Sequence, residues 1–275
     1  MELTGKTAIV TGSGRGIGLG IALAMGREGA NVVINDRYLD DARKAAERIN
    51  AGGGKAIGLA ADVTNFDEIE AMVAETLRRF GTVDILVNNA GIESTPMLLK
   101  DVPERQWDRV LGVNLKGTFL CCKAVIPVMM RQNKGRIINI NSLAGRRMTF
   151  FGSADYTASK HGQVGLTLHL AWELADSNIT VNAICPGATL TPLAEEGTTV
   201  EYREMVTKRL IPLGRWCTTD DVAGAAIYFA SDRADMVTGQ LLDVDGGVMT
   251  GYGEDLRAVI RQRMEQVQQA PAGKQ

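Results

Sequence analysis

Short apolar runs alternate with longer, helically spaced ones along most of this chain, and no other feature limits its fold as strongly. The spacing predicts strands at Thr7–Thr11, Asn31–Asp36, Lys55–Ala61, Asp84–Asn88, Arg136–Asn141, Ile179–Ile184 and Gln240–Val244. Between them it predicts helices at Ile17–Glu28, Leu39–Asn50, Phe66–Phe80, Pro103–Gln132, Asp155–Ala175 and Asp220–Ala230, with Pro127 bending the fourth. Strand–helix–strand repetition means parallel strands joined by right-handed crossovers. The strands are apolar almost throughout, as a sheet covered on both faces requires. The expected class is α/β, a doubly wound parallel seven-stranded sheet with helices on both faces.

No linker-like stretch divides the chain. Residues 1–251 read as one domain, including a loop at about 188–216 that faces substrate; residues 252–275 read as a partly helical tail, helical over Glu254–Gln268. The net charge of −2 leaves no basic footprint for nucleic acid or an anionic membrane. Four cysteines without a C-x-x-C pair, and two histidines, argue against both a zinc site and a disulfide framework. The start Met1–Lys6 has no secretory pattern, and no run of eighteen apolar residues occurs. These readings point to the cytoplasm, with a small molecule rather than a nucleic acid or membrane as partner.

The first strand runs into Thr11-Gly12-Ser13-Gly14-Arg15-Gly16-Ile17-Gly18, a T-G-x-x-x-G-x-G turn. Glycines there let the backbone approach a pyrophosphate, and the next helix offers its free N–H groups to it. Asp36 ends the second strand twenty residues after Gly16, about where an acidic residue meets the adenosine ribose of a dinucleotide. Such a domain is of Rossmann type. Its carboxylate favours NAD, because NADP places a phosphate at the same hydroxyl; Arg15 and Arg37 argue for NADP but have long side chains that can turn to solvent.

Tyr156-x-x-x-Lys160 puts a phenol and an ammonium on one helix face. Ser142 ends the fifth strand, at the carboxyl edge where ligands bind in such sheets. Together with Thr11–Gly18, Asp62, Asn88-Asn89-Ala90-Gly91, Asn114, and Pro186-Gly187 with Thr191, these motifs make the chain resemble the short-chain dehydrogenase/reductase family over nearly its whole length. Within it, the chain looks most like the subgroup of bacterial 3-oxoacyl reductases and sugar, polyol and steroid dehydrogenases.

The resemblance implies roles. Tyr156 is the general acid/base, Lys160 lowers its pKa and holds the nicotinamide ribose, Ser142 binds the substrate oxygen, and Asn114 holds a water in a relay from Lys160. Asp62 and Val63 are expected near adenine, Asn88, Ala90 and Gly91 along the cofactor trough, and Pro186, Gly187, Thr189 and Thr191 near the nicotinamide. Ser142, Ala144, Phe151 and Glu93 are the candidates for touching substrate; Glu93 reads equally as a hydroxyl-binding carboxylate or a solvated loop residue. Asn141 and Gln163 depart from the common pattern, where a serine and a leucine are frequent.

The expected reaction is NAD-dependent interconversion of a secondary alcohol and a ketone on a small alcohol, sugar or polyol, without metal. One alternative is a 3-oxoacyl thioester reductase using NADPH, against which Asn133 and Ser177 stand where some such enzymes have basic residues. The other is a non-catalytic dinucleotide-binding regulator, which would not need to keep all four catalytic residues. Apolar residues on more than one face of the helices Pro103–Gln132 and Asp155–Ala175 call for a second burial partner; the resemblance implies that these two helices join subunits into dimers and often tetramers, and a homotetramer of closed symmetry is expected.

Overall fold

A computed structural model describes residues 1–148 and 152–251. The predicted tail helix and Phe151 lie outside the described residues. The strands are β1 (Thr7–Val10), β2 (Asn31–Asp36), β3 (Lys55–Ala60), β4 (Ile85–Asn88), β5 (Gly135–Ile140), β6 (Ile179–Pro186) and β7 (Leu241–Val244). The helices are α1 (Gly16–Arg27), α2 (Leu39–Ala51), α3 (Phe66–Phe80), α4 (Glu104–Leu111), α5 (Gly117–Gln132), α6 (Ala154–Glu173), α7 (Pro192–Gly197), α8 (Val200–Leu210) and α9 (Thr219–Ala230). All seven strands are parallel, in the order β3-β2-β1-β4-β5-β6-β7. The chain therefore crosses from one half of the sheet to the other between β1 and β4, which opens a crevice at their carboxyl ends.

Successive strand residues point to opposite faces, and the core divides accordingly. Ala8, Val10, Val32, Ile34, Ile85 and Val87 pack under α1, α2 and α9. Ile9, Val33, Leu86, Ile137 and Val181 pack under α3, α5 and α6. The local signals agree with these layers. Asn65 caps α3 by accepting from the Asp67 N–H, and Gly81 closes it in the left-handed region at φ 78°. Thr218 and Asp221 form a reciprocal capping box on α9.

Two parts of the chain differ from expectation. The predicted helix Pro103–Gln132 is interrupted by a π turn at Gly112–Lys116, while α5 runs on through Pro127 to Gln132. The irregularity falls around Asn114 rather than at the proline, because α6 and the segment after β4 both draw on Asn114 for hydrogen bonds. By length and composition Glu104–Gln132 would suffice to span a membrane. Its Leu120, Cys121, Cys122, Val125 and Met129 are instead buried against the sheet, which makes it a core helix.

The loop at 188–216 contains α7 and α8, each started by a threonine cap, Thr191 and Thr199. Those caps are readable in the sequence; the apolar stripe is not, because this region closes a small core of its own, formed by Val206, Ile211, Trp216 and Val248.

Candidate active site

Between β1 and α1 the backbone turns at Gly12 (φ 59°) and Gly16 (φ 60°), a region that L side chains avoid. A Cβ on Gly12 would meet Ala90 Cα at 2.8 Å, and one on Gly14 would meet Asp36 Oδ2 at 2.8 Å and Asp41 Cβ at 3.0 Å. The turn is thus closed from below by the segment after β4, and flanked by the Asp36 carboxylate and the Asp41 Cβ. Helix α1 has no side-chain cap at Arg15 and no acidic residue in its first turn, so the N–H groups around Ile17 and Gly18 stay free for an anion. Glycines without room for Cβ beside an uncapped helix start fit a dinucleotide pyrophosphate. Ser13 serves the structure of the turn. Its hydroxyl donates to Val10 O at 2.6 Å and its N–H to Asn35 O at 2.8 Å.

Asn89 clamps this turn, a part the motif reading passes over. Its Nδ2 donates to the carbonyls of Thr11 and Gly12, both at 2.9 Å, while Thr11 Oγ1 accepts from the N–H groups of Asn89 and Ala90, both at 3.0 Å. Asn88 lies elsewhere than expected. Its amide is buried and bonds Asn139 Oδ1 at 2.9 Å and Cys122 Sγ at 3.3 Å, tying β4 to β5 and α5. Its strand register points the side chain into the core, so only its backbone borders the trough. Asp62 forms a turn after β3 in which Oδ1 accepts from the N–H and hydroxyl of Thr64. Val63 packs beneath Gly117. Gly91 is open, 3.4 Å from Asn114 Oδ1 when a Cβ is placed on it.

At the carboxyl end of β5, three predicted groups converge. The Ser142 hydroxyl hydrogen-bonds the Tyr156 phenol, which favours phenolate. Lys160 is 4% exposed, and its Nζ lies 5.8 Å from the Tyr156 ring centre and donates to Ile140 O at 3.0 Å. Asn141, a departure from the common pattern in the sequence, places Ser142 against α6: its Oδ1 accepts from the Ser142 N–H at 2.7 Å and its Nδ2 donates to Lys160 O at 2.9 Å. Asp155, fully buried at the start of α6, accepts from the Tyr156 N–H at 2.8 Å and from Gln106 at 2.9 Å, joining α4 to the tyrosine. No sequence motif marks that aspartate.

Burial works against the effect expected of Lys160 on Tyr156. The resemblance has Lys160 lowering the tyrosine pKa, but burial pushes the phenol up to about 12, Ser142 opposes this and Glu93 adds to it. Burial also brings Lys160 down to about 8, against the pull of Cys185 and Glu93. Desolvation outweighs pairing for both groups. Glu93 remains open to the mouth of the site; desolvation raises its carboxyl pKa, and the Lys160 charge opposes the shift.

Asn114, fully buried in the π turn, exchanges hydrogen bonds with the Ile92 backbone at 2.8 and 3.0 Å and donates to Ser159 Oγ at 3.1 Å. Ala144 is also fully buried, its N–H on Ser142 Oγ at 3.1 Å. It supports the serine, and its methyl has no open surface with which to meet a substrate. Pro186 ends β6. A Cβ on Gly187 would lie 2.9 Å from Asp245, and Thr189 Oγ1 donates to Gly187 O at 3.0 Å. Thr191 caps α7 and overhangs the phosphate turn, its methyl 3.9 Å from a Cβ position on Gly16.

Comparison with known proteins agrees with this geometry. The family model described as enoyl-(acyl carrier protein) reductase matches residues 12–249. The chain is 41% identical to a 3-oxoacyl-(acyl-carrier-protein) reductase of Staphylococcus aureus, over 90% of this chain and 99% of that protein. It is also 41% identical to a D-beta-hydroxybutyrate dehydrogenase of Rhizobium meliloti, over 88% of this chain and 98% of the other. Its fold matches a gluconate 5-dehydrogenase of Burkholderia cenocepacia, solved with NADP and tartrate, with a TM-score of 0.85, 36% identity, and 91% and 97% of the two chains covered. With a dinucleotide cradle, a buried Lys160 beside half-buried Tyr156 and Ser142 at its edge, and these end-to-end matches, the chain belongs to the short-chain dehydrogenase/reductase family and is an oxidoreductase acting on CH–OH groups.

Proposed function

We propose that the chain interconverts a secondary alcohol and a ketone on a small polar substrate with NAD, using Tyr156, Lys160, Ser142 and Asn114. The observation that carries this reading is the convergence of the phenol, the ammonium and the serine hydroxyl at the carboxyl edge of β5. A nicotinamide dinucleotide bound there supplies the hydride chemistry and, when oxidised, a positive ring charge. The residues do the rest. Ser142 and Tyr156 hold the substrate oxygen between them, and Tyr156 takes its proton in oxidation or returns it in reduction. Lys160 stabilises the phenolate, and Asn114 joins α5 to the strand-end segment beside it. Glu93, at the mouth, is suited to accept hydrogen bonds from further substrate hydroxyls.

For the cofactor, Asp36 supports NAD, because its carboxylate lies against the phosphate turn at Gly14. Asp36 and Asp41 both flank Gly14, while the Arg37 guanidinium stacks on the Tyr38 ring at 4.6 Å and hydrogen-bonds its hydroxyl at 2.6 Å. A 2′-phosphate would meet the like charge of Asp36. The relatives lean the other way, since the gluconate 5-dehydrogenase structure holds NADP.

The relatives also favour a second reading, a 3-oxoacyl thioester reductase, through the 41% identity to the Staphylococcus enzyme. Asn133 and Ser177 weigh less against it than expected, because they precede the amino ends of β5 and β6, opposite the catalytic edge. Measuring NADH and NADPH absorbance with polyols, sugars and hydroxy acids, and with an acetoacetyl thioester, tests both readings. Reduction of the thioester alone would overturn the first.

A homotetramer in the cytoplasm completes the proposal. Leu170 of α6 belongs to the core, but Phe119, Met130, Leu168 and Trp172 are exposed on α5 and α6, Trp172 to 82%. Light scattering at micromolar concentration tests this, and a monomer mass would refute it.

A further inference from the structure

Gln163 stands one turn beyond Lys160 on α6, 1% exposed, where a leucine is frequent in similar sequences. Its carboxamide Oε1 accepts from Lys160 Nζ at 3.0 Å. Its Nε2 donates to Asn114 O at 2.8 Å and to Thr118 Oγ1 at 2.7 Å. The orientation is forced. Thr118 commits its own hydroxyl proton to Asn114 O, at 2.8 Å, so toward Gln163 it can only accept. Both neighbours on that side are acceptors, and only the amide nitrogen can face them. The carboxamide oxygen is therefore aimed permanently at the ammonium, and the link from Asn114 to Lys160 is this side chain.

We propose that Gln163 is a positioning residue: its locked carboxamide holds Lys160 in its charged form beside Tyr156, with the π turn at Asn114 as anchor. The proposal deepens the reading of Lys160 given above and rests on it. Lys160 is nearly sealed from water and has two protein acceptors, Ile140 O and Gln163 Oε1, in the place of its hydration shell. An apolar residue at 163 would leave the ammonium with one. The titratable groups facing Lys160 are Tyr156 on its own helix, Glu93 after β4 and Cys185 in β6. Glu93 and Cys185 both favour the charged lysine, and burial opposes it. Losing one hydrogen bond to a charged group amounts to about one to two pH units.

The test is the pH dependence of kcat at saturating cofactor, for wild type, Gln163→Met and Gln163→Glu, with folding checked by circular dichroism and melting. In Gln163→Met the alkaline limb, where Lys160 loses its charge, moves down by about one to two pH units, while the substrate KM changes little. In Gln163→Glu an acceptor for Lys160 remains and a charge is added, the Thr118 hydroxyl turning from Asn114 O to donate to the second carboxylate oxygen, so the limb moves up. A folded Gln163→Met enzyme with the wild-type profile overturns the proposal, as does a loss of rate equal at every pH. If Gln163→Met fails to fold, a Gln163→Glu limb that stays or moves down overturns it instead. Lys160→Met in the same assay separates the two levels. Retained turnover there refutes the reading of Lys160 itself, whereas an inactive Lys160→Met beside an unshifted Gln163→Met refutes only the role of Gln163.

Discussion

Replacing Gly18 by alanine sets two effects of known size against each other. Gly18 lies in the first turn of α1, where alanine gains about 1 kcal/mol in helix propensity over glycine. A Cβ there, however, would lie 2.7 Å from Gly12 O and 3.0 Å from Asn89 Cγ, and would overlap Asn89 Nδ2. The asparagine must leave, and with it go two hydrogen bonds that hold the carbonyls of Thr11 and Gly12. At about 0.5–1.5 kcal/mol each, their loss costs about 1–3 kcal/mol. The net change in stability is therefore about 0–2 kcal/mol of loss, a few degrees in Tm. The released carbonyls belong to the turn that faces the pyrophosphate, so cofactor binding suffers more than folding. We expect the Kd for NADH, from fluorescence titration, to rise about tenfold or more, the equivalent of 1.4 kcal/mol. Asn89→Ala removes the same clamp and should weaken NADH similarly, and the double variant should be little worse than either. A Gly18→Ala protein with raised Tm and unchanged NADH affinity would refute the argument and leave helix propensity as the only effect.

Three further outcomes follow from the same geometry. Asp36→Ala should lower the ratio of kcat/KM for NAD over NADP by tenfold or more, about 1.4 kcal/mol; a wild-type preference for NADP would show that the arginines prevail. Tyr156→Phe should bind NADH normally and lose about 100-fold to 10,000-fold in turnover. Its pH behaviour should change as well. With the wild-type phenol held near 12 instead of 10, the folded chain keeps a proton that the unfolded chain releases between those values. Stability therefore falls as pH climbs through 10 to 12, and denaturant melts of Tyr156→Phe should lack that part of the slope. Gly224→Ala, in the middle of α9 with nothing within 4 Å of its Cβ position, should stabilise the protein by about 0.5–1 kcal/mol, seen as a rise of a degree or two in Tm.

Much of this protein is determined by local sequence. Strand and helix periods, the caps at Asn65 and Thr218, and the glycines of 12–18 act over a few residues, and they lead to the doubly wound sheet and its cradle without knowledge of distant contacts. Tyr156, Lys160 and Ser142 are legible for the same reason: a helix face and a strand end place them. What tertiary structure alone decides is where the hydrogen bonds of buried polar side chains go. Asn88 and Asn89 are adjacent and identical, yet strand register sends one into the core and the other onto the phosphate turn. Asn141 and Gln163 read only as departures until β5, α6 and the π turn meet and give their amides partners 19 to 49 residues away. The pKa of Tyr156 belongs to the same class. Spacing supplies its cation, but the direction of its shift depends on how completely the folded chain excludes water from it, and burial is a property of the whole packing rather than of any segment.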